Sequence, residues 1–233
     1  MSIEICNRDE ELFPKRLKRI AKAPGRLFYK GNIGIVNEMP CVAVIGTRDV
    51  SGNGQEKAYV FGRIAAEEGF VVVNGLAVGC DTMALKGALS VDGKCAVILP
   101  SGLDEIYPKS NEGLAREILE KGGCLISEYD PGEKPQTHYF IERDRLQSGV
   151  SLGVIVVETG TKGGTMHTVR YAGRQGKRLA CYYSRLMENA AGNQDIVDRG
   201  IGVAIESVEE LRRFLQEIKA VGNEVYEQLE FRF

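Results

Sequence analysis

The sequence predicts a doubly wound α/β fold with a mostly parallel sheet and short helical flanks at both ends. Short apolar runs recur at residues 42–45, 70–73, 96–99, 125–126, 154–157, 179–183 and 203–205, most of them continuous rather than alternating. Continuous runs suit strands covered on both faces, as in a parallel sheet. Segments with helical spacing lie between them at 55–68, 82–89, 114–121 and 168–175. Nearly every crossover begins or ends at glycine, a residue that supplies 28 of the 233 positions.

In chain order, residues 10–22 carry Leu12, Leu17 and Ile20 among charges and read as a helical segment that Pro24 ends. Residues 27–29 then read as an edge strand before the turn signal Gly31-Asn32. The strand–helix core follows. Within it Gly62, Gly69 and Gly87 read as sites of helix packing or termination rather than ligand contact. Residues 208–218 form an amphipathic helix with Ser207 as N-cap and Glu210 three residues on. Residues 224–233 alternate loosely, as an ordered or a frayed tail. The expected division is a flank at 1–34, a core at 35–220 and a tail at 221–233.

Composition narrows the function. Hydrophobic residues at 43% and charged residues at 27% are ordinary globular values, and the glycines show no Gly-X-Y period. Lys and Arg total 30 against 32 Asp and Glu, a net charge of −2, so any nucleic-acid surface must be local. No stretch reaches the roughly 18 apolar residues of a membrane span. The N-terminal residues are acidic and polar, unlike a signal peptide, so the expected location is the cytoplasm without membrane association. Six cysteines without a CxxC pair (Cys6, Cys41, Cys80, Cys95, Cys124, Cys181) read as buried reduced thiols. With two histidines, His138 and His167, no metal site is expected.

The strand ends carry the candidate site. The first core strand runs into Gly46-Thr47-Arg48, the second into Asn74-Gly75-Leu76-Ala77-Val78-Gly79-Cys80-Asp81, and the third into Pro100-Ser101-Gly102-Leu103-Asp104 with Tyr107-Pro108 beyond. Glycine at such ends lets a phosphate approach bare backbone, and the next helix offers free N–H groups. The spacing is neither G-x-G-x-x-G nor a GK[ST] loop, which disfavours ordinary dinucleotide or triphosphate chemistry. Asp81 reads as an N-cap for the helix that follows.

These strings, with Ser127-Glu128-Tyr129 and the upstream Phe13-Pro14 and Leu27-Phe28-Tyr29-Lys30-Gly31, resemble the Rossmann-like core of the DNA-processing protein A (DprA/Smf) family over about residues 13–205. The resemblance implies a single-stranded DNA-binding protein, usually a homodimer, that hands strands to the RecA recombinase in natural transformation. It implies no catalytic residue and no cofactor. Carried over by position, Arg48 would contact a backbone phosphate. Arg143 and Arg145 match the family's F-x-x-R-N-R string, and Gly163, Gly164, Thr165 and Thr168 its S-G-S-x-x-T loop. The implied phosphate-binding set is thus Gly46, Thr47, Arg48, Gly75, Gly79, Gly102, Arg143, Arg145, Lys162, Gly163, Gly164, Thr165 and Thr168.

The chain also departs from the family. Asp144 stands where the family has asparagine, either adding a negative charge to the groove or orienting Arg143 or Arg145 through a salt bridge. Cys181-Tyr182-Tyr183-Ser184 replaces the usual Pro-Gly, and a winged-helix module is not expected after Phe233, as in a core-only member. Arg48, Lys86, Lys109, Arg143, Arg145, Lys162, Arg170 and Arg174 form the expected basic cluster, with Tyr107, Tyr129 and Tyr139 as candidate base-stacking residues.

Two alternatives remain open at this point. Gly160-Thr161-Lys162-Gly163-Gly164-Thr165 also resembles the GGxGT loop of lysine-decarboxylase-like phosphoribohydrolases, with Glu158 as the nearby carboxylate. A nucleotide-sensing module using the same crevice without chemistry is the other.

Overall fold

The seven apolar runs, with two N-terminal strands beside them, pair into a nine-stranded sheet among the described residues. The structure, a computed structural model, describes residues 1–184 and 190–230, with side chains as far as residue 222. Strands β1 (Glu4–Asn7) and β2 (Arg26–Gly31) precede α1 (Ile35–Glu38) and β3 (Cys41–Ile45). The alternation continues through α2 (Gly52–Glu67), β4 (Val71–Asn74), α3 (Cys80–Leu89), β5 (Cys95–Ile98), α4 (Glu112–Glu120) and β6 (Cys124–Ser127). Next come α5 (Thr137–Val150), β7 (Gly153–Val156), α6 (Gly164–Arg174) and β8 (Arg178–Tyr182). Helix α7 (Ala191–Asp198), strand β9 (Val203–Ile205) and helix α8 (Val208–Glu230) complete the order.

The strands lie in the order β1-β2-β6-β5-β4-β3-β7-β8-β9. Pairing is antiparallel at β1–β2 and β2–β6 and parallel from β6 to β9. Every residue of β3 is buried, because the sheet is covered twice. Val42 and Val44 pack beneath α2, α3, α4 and α8 through Phe61, Leu85, Ile118 and Phe214. Cys41 faces the other way, toward Leu146 and Val150 of α5. Ala43 and Ile45 do the same beneath α6 and α7, against Met166, Val169 and Ile196. Each such aliphatic side chain contributes about 1.5–3 kcal/mol by leaving water. All six cysteines are buried and free, as the sequence predicts. Burial pushes the Cys41 thiol up to about 11 and the Cys95 thiol up to about 12, so both stay protonated.

The predicted cap of α8 is a complete capping box. The Glu210 backbone N–H donates to Ser207 Oγ at 3.2 Å, and the Ser207 N–H donates to Glu210 Oε2 at 3.2 Å. Beyond residue 218 the helix continues to Glu230, through most of the segment read as a tail; residues 231–233 lie outside the described residues.

Two expectations for the N-terminal flank are corrected. Residues 10–22 hold only a 3-10 turn at Leu17–Arg19. Pro14 restricts Phe13 and cannot donate into a helix, and the segment instead buries Phe13, Leu17 and Ile20 against α5 while Leu12 stays exposed. Strand β2 is not an edge. Strand β1 pairs outside it, with Ile5 opposite Phe28, and Tyr29 Oη donates to Glu4 Oε2 at 2.7 Å.

Helices α2 and α3 touch backbone to backbone. A Cβ on Gly62 would overlap the Ala84 carbonyl, and one on Gly87 the Tyr59 carbonyl. No side-chain rotation relieves either clash, so these glycines set the interhelical distance. Gly62→Ala or Gly87→Ala should each lower stability by about 1–3 kcal/mol or more, read as a shift in urea midpoint. Unchanged midpoints would contradict the close contact.

Candidate functional site

The strand order reverses between β3 and β7, which are parallel neighbours with Ile45 opposite Val156. At such a switch point the connecting loops diverge to opposite faces and leave a crevice at the carboxyl ends of the strands. Here it is a cavity of about 630 Å³. The loop after β3 supplies Gly46, Thr47 and Arg48, and the loop after β7 supplies Thr159, Gly160, Lys162, Gly163 and Gly164. Helix α5 contributes Thr137, Phe140, Ile141, Asp144 and Gln147 from one face.

Backbone geometry makes the site receptive to anions. The Thr47 N–H donates to the Glu158 carbonyl at 2.7 Å, and the Cys80 N–H to the Thr47 carbonyl at 3.1 Å. These bonds lash the loop after β3 to its neighbours. Gly46 has to be glycine, because a Cβ would overlap Cys80. Gly163 takes φ +123° and starts α6 with no side chain capping the helix. The first N–H groups of α6 therefore face the cavity unused by a cap, at the positive end of the helix dipole.

One cation and two carboxyls share the floor, and a second cation stands at the mouth. Arg143 is buried, donating from Nη1 to the Ile98 carbonyl at 3.0 Å. Its guanidinium occupies the space a Cβ on Gly75 would take. Asp144 Oδ1 lies 3.1 Å from Arg143 Nε, an ion-pair distance without hydrogen-bond geometry, so that buried Nε–H has no acceptor. Asp144 Oδ1 also accepts from Gln147 Nε2 at 3.0 Å. Burial pushes the Asp144 carboxyl up to about 7, against the opposing pull of Arg143 and with a further push from Asp81. Burial likewise raises Asp81, which Arg143 pulls back. Arg48 is exposed at the mouth, its guanidinium carbon 5.1 Å from the Phe140 ring centre. Among the described residues no group of His, Cys, Asp and Glu has the arrangement of a metal site.

Residues 4–216 match the family described as DNA recombination-mediator protein A. The chain belongs to that family. It is 36% identical over 171 residues to Protein Smf of Escherichia coli, covering 73% of this chain and 46% of that protein. To DNA processing protein DprA of Streptococcus pneumoniae it is 32% identical over 206 residues, 88% of this chain and 72% of that one. The X-ray structure of the pneumococcal DprA aligns with TM-score 0.82 at 31% identity, covering 91% of this chain and 74% of that chain. DNA processing protein A of Helicobacter pylori, whose structure concerns its single-stranded DNA binding mode, aligns with TM-score 0.82 at 27% identity, covering 93% and 96%. The chain spans about half the length of the E. coli relative.

For this member of the DprA/Smf family, nine of the thirteen expected residues meet at the crevice: Gly46, Thr47, Arg48, Arg143, Lys162, Gly163, Gly164, Thr165 and Thr168. Four do not line it. Gly75 makes room for Arg143, and Gly79, at φ +82°, passes close beneath the Thr47 and Arg48 carbonyls. Gly102 packs on the Asp130 carbonyl. Arg145 is drawn away by a bidentate pair with Glu128, at 2.6 and 2.7 Å. Of the open readings of Asp144, the pair forms with Arg143.

Other expectations also change. Asp81 is not the cap of α3; Gly79 holds that position, and Asp81 Oδ2 accepts from the Gly75 and Ala77 N–H groups at 3.0 and 3.2 Å. Of the tyrosines, Tyr107 lines the crevice, whereas Tyr129 and Tyr139 stack on each other with centroids 3.8 Å apart. Lys86, Lys109 and Arg170 line neither large cavity, and Arg174 lines the other one. Glu158 is fully buried, accepting from the Ser51 N–H at 3.1 Å and from Ser51 Oγ at 2.6 Å, and it does not line the crevice. Phe140, at the head of the arginine-bearing string, joins Ile141 and Gln147 in the lining, at the spacing of three and four from Thr137 and Asp144 that marks one helix face.

Asp144 would make binding of an anion in the crevice depend on pH. A phosphate beside it favours the neutral carboxyl, so binding takes up a proton above about pH 7 and none well below. The same raised value means the folded state gains stability as pH falls through about 7. His167 at the rim is lowered by burial and by Arg170, so its own protonation moves toward lower pH. Affinity for a single-stranded oligonucleotide should rise several-fold from about pH 8 to about pH 6, and Asp144→Asn should bind tighter at the upper pH with a flatter profile. Fluorescence anisotropy titrations check this; an unchanged slope in Asp144→Asn would contradict it.

Proposed function

We propose that this chain binds single-stranded DNA through its sugar-phosphate backbone in the switch-point crevice, without chemistry on the strand. The observation that carries this is the uncapped N-terminus of α6 set beside Arg48, Lys162 and the unsatisfied Nε–H of Arg143. Such a set recognises phosphate, and nothing in it reads a base edge. Tyr107 and Phe140, with ring centres 5.7 Å apart, add an apolar surface on which a base can rest. The H. pylori relative, described for its single-stranded DNA binding mode, supports the same ligand. Glu158 is committed to the start of α2, Asp144 is tied to Arg143 and Asp81 to the loop of residues 75–77, which leaves Asp49, exposed at the mouth, as the carboxylate of the crevice without such a tie. Delivery of the strand to RecA, pairing of two copies and a cytoplasmic location belong to this proposal through family membership. No helix among the described residues is long and apolar enough to cross a membrane.

Because the contacts are to phosphates, Arg48→Ala should weaken binding of an oligothymidylate and of a mixed-sequence oligonucleotide alike. The expected loss is about tenfold at low salt, with the log Kd against log salt slope reduced by about 1. Electrophoretic shift and anisotropy measure it. Retention of full affinity in Arg48→Ala, or discrimination between the two sequences, would overturn the proposal.

A further inference from the structure

A second large cavity, of about 590 Å³, lies at the other end of the sheet, where β7 and β8 begin. Its walls come from the N-terminal flank, the C-terminal turn of α6, the start of β8 and the middle of α8. Seven cationic side chains line it, with no aspartate or glutamate among the described lining residues. Two of the seven are neutralised from outside the cavity. Arg145 pairs with Glu128, and Arg178 with Glu217 at 2.8 Å. Arg19, Lys22, Arg174 and Lys177 form no ion pair among the described residues. Lys177 Nζ donates only to the Gly149 carbonyl, at 3.3 Å.

The dipole of α6 accounts for part of this, since cations beside a helix C-terminus are favourable. It explains Arg174 and Lys177. Arg19 and Lys22 come from a separate segment, so the chain brings four unpaired cations to one hollow from two directions. The strain is visible at Lys177, whose ammonium is pushed down to about 8 by burial and by the charges of Arg16 and Arg19. Beside the cations stand apolar residues, Ile20, Leu152, Ile218 and Val221, and the half-buried ring of Tyr171. The volume falls in the range of small-ligand sites, roughly 300–1,000 Å³.

We propose that this cavity is a binding site for a nucleoside di- or triphosphate, distinct from the DNA crevice. The phosphates lie among Arg19, Lys22, Arg174 and Lys177, and the base rests against Tyr171 and the apolar wall. Two or three linked phosphates match four cations better than a lone phosphate does, and charge-assisted contacts of this kind are the strong ones. Arg48 and Arg143 play no part.

Isothermal titration with ATP tests this on the full chain. The expected result is saturable binding that the double variant Arg19→Ala/Arg174→Ala weakens by about tenfold or more, while its melting temperature without ligand stays that of the parent. Arg48→Ala should leave ATP affinity unchanged, and the double variant should leave oligothymidylate affinity unchanged, so the failure of either site is separable from that of the other. The proposal is overturned by absence of saturable ATP binding, or by its loss in Arg48→Ala. Weaker oligothymidylate binding by the double variant also overturns it, by putting a DNA strand in this cavity. Equal affinity for ATP and inorganic tripolyphosphate overturns the nucleoside assignment.

Discussion

The buried guanidinium of Arg143 is the constraint around which the crevice is organised. It reaches from α5 across the sheet to the carbonyl of Ile98 at the end of β5, through space that Gly75 leaves open at the end of β4. Three elements are thereby held at fixed separation by one side chain. A charge at that depth needs compensation, which Asp144 supplies in contact and Asp81 at longer range. Removing the guanidinium would leave two buried carboxyls without their cation, and breaking such a cluster costs about 3–5 kcal/mol.

On the proposed reading, the same cluster explains how a chain of net charge −2 would present a phosphate site. Most of the attraction does not come from a field of lysines. On that reading it comes from amide groups at the start of α6, from the exposed Arg48 at the mouth, and from a floor where burial raises both carboxyls. Asp144 lowers the positive potential when ionised, so the site is tuned as well as built. Arg145, two residues from Arg143, faces away and serves a salt bridge with Glu128. Adjacent arginines in one string thus do different work because a helix turns them through roughly 200° over two residues.

Much of this was legible in the sequence. Continuous apolar runs marked the parallel strands within a residue or two, and the glycine-ended loops marked the end of the sheet that carries the site. The capping box at Ser207 and Glu210 was readable from two residues. What was not legible depends on long-range packing. The Cys6-bearing strand β1 is too short and polar to announce itself, and it is defined only by pairing with β2. The helical signal over residues 10–22 was genuine spacing overridden by Pro14 and by burial of Phe13. The direction of Arg145 and the true partners of Asp81 are set by what lies opposite them, and no local pattern records that. Gly75 stood out by its place at a strand end, and in the structure the space it leaves is filled by Arg143.

The central claim is that backbone amides at the switch point hold phosphates. A crystal structure of the protein with a short oligothymidylate tests it most directly. The account predicts a phosphate oxygen about 3 Å from the amide nitrogens of Gly164 or Thr165, with the Arg48 guanidinium on the same or the next phosphate. A strand bound on another surface, with the start of α6 facing only water, would contradict it.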